Sequence, residues 1–161
     1  MHREGRSPRE CVLTPNDEIR NLLFRYCEMI DAGDVDGLVE LFADAVLSGF
    51  GATREWRGRD EIRAMYSGGD RRERTSGGRA TKHITTNALI EVDESTGTAT
   101  SRSYWVLLVS TSPDEPIRPI LAGRYHDTFA CIDDRWRFAR REYLVDLTGA
   151  ESSALLGGPT T

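Results

Sequence analysis

The first part of the chain has a helical pattern of hydrophobic positions. Asn16 is a favourable N-cap and Gly33 is placed to end a helix, and between them apolar residues recur every three or four positions. These residues are Ile19, Leu22, Leu23, Tyr26 and Ile30. Asp34 can cap a second, short helix, and residues 61–66 form a third helix after the glycine-interrupted hairpin "AVLSGFGATREW". The pattern therefore predicts three helices and one hairpin before residue 67.

After a polar loop at 67–81 the pattern changes to the alternation typical of strands. Four long runs follow, at 82–93, 98–111, 117–132 and 135–147, with short turns between them. Helices followed by consecutive strands predict an α+β domain, in which about three helices pack on one side of a curved antiparallel sheet. We expect a single domain over residues 16–147, an N-terminal tail at 1–15 and a C-terminal tail at 148–161.

Composition and charge narrow the class of protein. The chain has 161 residues, of which 39% are hydrophobic and 29% are charged, and a net charge of -5. These values are typical of one ordinary domain and argue against a general nucleic-acid surface. No stretch resembles a signal peptide or approaches the ~20 apolar residues of a membrane span. We therefore expect a cytoplasmic protein that binds neither nucleic acid nor membranes.

Few residues are available for a metal or cofactor site. The three cysteines are far apart and form no C-x-x-C pair, which is typical of reduced thiols, and we expect Cys27 and Cys131 to lie in the core. The three histidines form no metal-binding pair, and no glycine-rich nucleotide motif is present. The sequence therefore predicts neither a metal nor another cofactor.

Two residues are candidates for acid/base chemistry. Asp31 lies at the edge of the apolar stripe of the first helix, where it is either a solvated acid or a carboxylate aimed into a cavity. His83 lies on the mixed face of the first long strand, with Thr85, Asn87 and Leu89, where a histidine is more often a surface or core residue. If that face lines a pocket closed by the first helix, Asp31 and His83 form an acid/base pair.

Aromatic residues and one arginine of the later strands are candidates for ligand contacts. Alternation in the last strand puts Arg140 on one face with Trp136 and Phe138, and Arg141 on the other. The guanidinium of Arg140 is suited to an oxyanion, although an ion pair within the sheet is an equal alternative. Two further aromatics, Trp105 and Tyr125, are either core residues or the walls of a cavity for a flat ligand.

Four stretches of the sequence together match a known pattern: "IRNLLFRYCEMIDAGDVDGLVELFADAVL", "WRGRDEIRAMY", "TKHITTN" and "GRYHDTFACIDDRWRFARREYLVD". In their order and spacing they resemble the SnoaL-like branch of the nuclear-transport-factor-2-like superfamily, over residues 14–147. The resemblance implies a cone-shaped α+β barrel that encloses a pocket, and a homodimer or higher homo-oligomer formed through the sheet.

The resemblance also implies roles for individual residues. Asp31 and His83 match the catalytic pair of the scytalone dehydratase, hexachlorocyclohexane dehydrochlorinase and bile-acid 7α-dehydratase branch. Arg140 resembles a pocket arginine of some members, and Tyr26 an aromatic donor near the aspartate. Phe50 stands where a hairpin tyrosine is expected. The expected substrate-binding residues are Tyr26, Phe50, Trp105, Tyr125 and Arg140.

Two classes of function follow from these observations. The first is a cofactor-free lyase or isomerase, dehydratase- or cyclase-like, in which Asp31 and His83 move a proton on a small apolar, cyclic substrate. The second is a noncatalytic ligand-binding or assembly module that resembles the β subunits of ring-hydroxylating dioxygenases. A ligand carrier with a vestigial pair is a third alternative. A dimer without an iron-bearing partner, whose closed pocket holds both side chains, favours the enzyme. An open pocket with the two side chains beyond hydrogen-bond reach, or a stable hetero-oligomer, favours the module.

Overall fold

The computed structural model describes residues 13–51, 54–68, 80–149 and 152. The elements follow in the order α1 (Pro15–Ala32), α2 (Val35–Leu41), β1 (Val46–Gly49), β2 (Glu55–Arg57), α3 (Gly58–Ser67), β3 (Thr81–Asp93), β4 (Thr98–Val109), β5 (Arg118–Ile132) and β6 (Arg135–Thr148). The predicted tails and the polar loop at 67–81 fall largely outside the described residues. In the described part of the chain, no helix is long and apolar enough to cross a membrane.

The ends of the first two helices are set by short capping contacts. The hydroxyl of Thr14 accepts a hydrogen bond from the Asp17 amide at 3.2 Å, so the N-cap is Thr14 and not the predicted Asn16. Pro15 can occupy the first turn, because a backbone N–H at that position would have no partner within the helix. Gly33 ends α1 with a φ of 74°, and the Asp34 carboxylate caps α2 by accepting from the Gly37 amide at 2.8 Å, as predicted.

The strands form one six-stranded sheet in the order β2-β1-β6-β5-β4-β3. Every neighbouring pair is antiparallel except β1 and β6, which are parallel. The apolar stripes of the helices pack with the inner face of the sheet in one hydrophobic core. The predicted α+β class, with three helices on a curved and mostly antiparallel sheet, is therefore confirmed.

A bulge in β3 changes which residues face the core. The register with β4 shifts between Thr86 and Leu89, and Asn87 has a φ of 53°. His83 faces the helices as its alternation requires, but beyond the bulge the faces exchange, so that Leu89 is exposed. The prediction that Leu89 shares a face with His83 is wrong, because alternation does not reveal the extra residue.

A second bulge, in β6, places Arg141 rather than Arg140 on the inner face of the sheet. Thr128 pairs with Arg140 while Phe129 pairs with Phe138, which leaves Ala139 as the extra residue. Phe138 and Arg141 are buried, and Arg140 lies on the outer face. The prediction that Arg140 shares a face with Trp136 and Phe138 is therefore wrong.

The outer face of the sheet carries a row of apolar residues with no partner among the described residues. Ile84, Val106, Ala122 and Leu147 lie side by side across β3, β4, β5 and β6. Tyr104, Ile84 and Leu147 are exposed. The inner face, in contrast, holds the polar residues that are candidates for chemistry.

Candidate active site

Asp31 lies in the last turn of α1 and points at the first residues of β3. Its carboxylate accepts a hydrogen bond from the backbone N–H of His83 at 3.0–3.1 Å and from the Thr81 hydroxyl at 3.4 Å. The ammonium group of Lys82 lies 3.7 Å away. Only 7% of the Asp31 side chain is exposed. The carboxylate is therefore held in one orientation against the strand.

The imidazole of His83 contacts the same carboxylate. Its Nδ1 lies 2.8 Å from Oδ1 of Asp31, and 14% of its side chain is exposed. The ring of Tyr26 meets the imidazole edge to face, with 6.1 Å between the ring centroids. No group in the described residues forms a hydrogen bond with Nε2 of His83. The structure thus brings Asp31, His83 and Tyr26 together.

Two more of the predicted ligand-binding residues lie next to Tyr26. The Tyr26 and Tyr125 rings are 5.8 Å apart, and Trp105 stacks on Tyr125 at 5.6 Å. All three side chains are buried. Burial raises the pKa of Tyr26, and the charge of Arg141 offsets this only in part, so the phenol stays protonated at neutral pH. These rings form a mostly apolar wall beside the Asp31–His83 pair.

Arg141 lies beside the candidate site, and the sequence analysis did not single it out. Its guanidinium is fully buried and donates to Asp127 through Nε at 2.8 Å and Nη2 at 2.9 Å. It also lies 4.4 Å from the centroid of the Tyr26 ring and 4.1 Å from that of Tyr125. Burial lowers the pKa of Arg141, but the charge and hydrogen bonds of Asp127, together with Tyr143 and Tyr125, raise it by more, so the group stays charged.

A signal for this ion pair was present in the sequence. Asp127 lies between Tyr125 and Phe129 in the alternation of β5, on the inner face. An acid at such a position needs a buried cation as its partner. Simple alternation puts Arg141 on the face opposite Phe138, and only the bulge at Ala139 brings it to the same face as Asp127.

Arg140 and Phe50 lie apart from the pair. Arg140 donates to Glu55 at 2.8 Å and to the Ser48 hydroxyl at 2.9 Å. Phe50 stacks on Tyr143 at 4.6 Å and is partly exposed. Both residues line a separate groove between the β1–β2 turn and the outer face of β6. The structure therefore does not bring Arg140 or Phe50 to His83.

One of the two cysteines expected in the core lies near the site. The sulfur of Cys27 is 3.2 Å from the Thr85 hydroxyl, and burial raises the pKa of this thiol. Cys131 is exposed, so the expectation of a core position is wrong for it. Among the described residues, no group of three or more His, Cys, Asp and Glu side chains is arranged to hold a metal ion.

Comparisons with known proteins agree with the fold. A family model described as the SnoaL-like domain matches residues 12–142. A nuclear-transport-factor-2-like protein of Novosphingobium aromaticivorans is 27% identical, with 88% of each chain covered and a TM-score of 0.69. A scytalone dehydratase-like protein of the same organism is 26% identical, with 82% of this chain and 84% of that chain covered and a TM-score of 0.63.

A third solved structure is similar in fold alone. ActVI-ORFA of Streptomyces coelicolor has a TM-score of 0.68 at 16% identity, with 80% of this chain and 95% of that chain covered. No curated protein matches the chain by sequence.

Proposed function

Because the chain belongs to the SnoaL-like domain family, we propose that it is a cofactor-free lyase or isomerase that moves a proton on a small apolar, cyclic substrate. The observation that carries the proposal is the 2.8 Å hydrogen bond between Nδ1 of His83 and the Asp31 carboxylate. The similarity to a scytalone dehydratase-like protein supports a reaction of this class.

His83 is the proposed proton carrier. When Nδ1 donates its hydrogen to Asp31, a neutral imidazole has its lone pair on Nε2, which can then accept a proton from a carbon acid. Asp31 favours the imidazolium that forms, since a neighbouring carboxylate stabilises the positive charge. The contacts from Thr81 and from the His83 amide keep the carboxylate from rotating away.

The buried rings and the cation behind them complete the proposed site. A proton taken from carbon beside a carbonyl leaves negative charge on the carbonyl oxygen, which a nearby donor stabilises. Tyr26 is the proposed donor, because its ring meets His83 and its phenol is protonated. Arg141 lies against the same ring and supplies positive charge in place of Arg140.

The distance between the two side chains also bears on the alternative function. An assembly module has no need of a carboxylate and an imidazole within 2.8 Å of each other on the inner face of the sheet. The enzyme is therefore the better supported reading of this site.

The test is exchange of the hydrogens next to the carbonyl of 2-tetralone, a bicyclic ketone, followed by proton NMR in D2O. In the proposed step His83 takes a proton from carbon, an enolate forms, and the carbon receives a deuteron in return. His83→Ala and Asp31→Asn should each slow the catalysed exchange by roughly 10²- to 10⁴-fold, the usual contribution of general acid/base catalysis.

His126→Ala is the matched control, because this exposed imidazole lies 3.8 Å from Glu142 on the outer face. It should leave the exchange rate unchanged. Circular dichroism of all variants establishes that they are folded. A loss of less than about tenfold in both site variants would contradict the proposal, since acid/base contributions are normally larger.

A further inference from the structure

Ser103 and Trp105 occupy neighbouring inward positions of β4, which pairs with β3, the strand of His83. Trp105 pairs in register with Thr85, which follows His83 by two residues on the same face of β3. Diagonal neighbours of this kind have Cα atoms about 7–8 Å apart. A molecule that contacts the His83 imidazole is therefore within reach of β4.

The indole of Trp105 is fixed in its orientation. Its ring stacks on Tyr125 with an interplanar angle of 14°. Gly123 leaves room for it, because a Cβ at that position would lie 3.0 Å from Cε2 of the indole. Tyr125 is itself held in place, since the guanidinium of Arg141 lies 4.1 Å from the centroid of its ring. The N–H of Trp105 therefore has one defined direction.

Three buried polar atoms in this region have no hydrogen-bond partner in the described part of the chain. They are Nε1 of Trp105, Oγ of Ser103 and Nη1 of Arg141. Proteins pair nearly all of their buried polar groups, and an unpaired buried donor destabilises the fold. Two of these atoms belong to Ser103 and Trp105 on β4, the strand that pairs with the strand of His83, so an acceptor on a molecule bound against β4 would supply their partner.

The chemistry of the two β4 side chains defines that partner. An indole N–H can only donate a hydrogen bond, and a serine hydroxyl can do so. The partner is therefore an acceptor. Asp127 already neutralises the nearest cation of this wall, Arg141, through two hydrogen bonds, so an uncharged oxygen suits Trp105 and Ser103 better than an anion.

We propose that Trp105 and Ser103 form a specificity subsite for an uncharged acceptor oxygen, such as an ether or a second ketone, on the ring system of the substrate. The inference rests on the proposed function, in which Tyr26 serves the oxygen next to the reacting carbon. Trp105 and Ser103 bind the second oxygen, and so favour ring systems that carry it over those that lack it.

Two ketones that differ only in that oxygen test the subsite: 6-methoxy-2-tetralone and 6-methyl-2-tetralone. The chain has three tryptophans, so its indole N–H groups give three signals in a nitrogen–proton correlation spectrum, and Trp105→Phe identifies one of them. The methoxy ketone should shift the Trp105 signal downfield and the methyl ketone should not. It should also bind roughly fivefold more tightly, the effect of one neutral hydrogen bond.

Variants show whether that preference comes from the two side chains. Trp105→Phe keeps a stacking ring and removes the N–H, and Ser103→Ala removes only a hydroxyl. The preference should fall to about one in Trp105→Phe and should be reduced in Ser103→Ala. Trp136→Phe, in β6, is the control and should keep it. Equal binding of the two ketones, absence of binding by both, or an undiminished preference in Trp105→Phe and Ser103→Ala would each overturn the subsite.

The outcomes separate this inference from the proposed function. Exchange that requires His83, together with a preference that ignores Trp105, removes the subsite alone. A preference that requires Trp105, together with exchange that is unchanged in His83→Ala, supports the subsite and removes the proposed catalytic pair. A Trp105 signal that already lies at a hydrogen-bonded position and does not move with the methoxy ketone points to a buried water as the partner, and also overturns the subsite.

Discussion

The ion pair between Asp127 and Arg141 gives the sharpest test of the described interior. Both side chains are 0% exposed, and two hydrogen bonds of 2.8 and 2.9 Å join them. Asp127→Asn keeps the shape of the side chain and removes its charge. Arg141 then remains buried and charged, with only aromatic rings and an amide around it.

The expected cost follows from that burial. Breaking a buried pair by removing one partner costs roughly 3–5 kcal/mol, because the remaining charge is left without compensation. For a domain of this size such a loss lowers the melting temperature by roughly 6–20 °C. Urea unfolding followed by circular dichroism measures the free energy of unfolding directly.

The chain offers a closely matched control. Arg124 and Asp146 join the same two strands through two hydrogen bonds of 2.8 and 2.7 Å, but their side chains are 44% and 40% exposed. Asp146→Asn should therefore change stability far less, because water screens an exposed pair. A loss for Asp127→Asn below about 1 kcal/mol, or equal to that of Asp146→Asn, would refute this account of a buried charge, whose removal should cost several times more.

Three further predictions follow from the fold. In a Tyr104→Phe variant, absorbance at 295 nm should show less phenolate at pH 10 to 11 in the folded protein than in the urea-unfolded protein, because burial raises the pKa of every remaining tyrosine: Tyr26, Tyr66, Tyr125 and Tyr143. The unfolded chain loses these protons near pH 10, so stability should fall as the pH rises above that value. Gly49→Ala should destabilise the fold far more than Gly51→Ala in urea unfolding, since a Cβ on Gly49 would lie 2.2 Å from the Tyr143 carbonyl oxygen, whereas one on Gly51 meets nothing within 4 Å. Light scattering should find a homodimer in solution, formed through the apolar row on the outer face of the sheet, and Ile84→Glu, in that row, should yield monomers; a monomeric wild type would contradict this.

Much of the fold could be predicted because local signals agree with the final packing. The stripe of α1, the left-handed Gly33 and the Asp34 cap all act over a few residues, and the structure has each of them. The four long strands end within two residues of their predicted limits. The N-cap differed because Pro15 is compatible with a first turn that Thr14 begins.

The residues of the candidate site could be predicted only where local periodicity is uninterrupted. Asp31 and His83 lie before any bulge, so periodicity can place Asp31 at the edge of the apolar stripe and His83 on one face with Thr85, and the structure joins the two side chains. Arg140 and Arg141 follow the bulge at Ala139, which local alternation does not encode. That bulge is defined only by pairing with β5, which is a property of the tertiary structure.

The position of β6 has a consequence for how the domain is made. This strand is the last one in the described part of the chain, yet it lies in the middle of the sheet, with β1 on one side and β5 on the other. While a ribosome is still adding residues 135–148, β1 has no neighbour but its own hairpin, and the β5 edge is open to other chains. The two halves of the sheet can join only after residues 135–148 have been made, so a chain that stops before them is prone to aggregation.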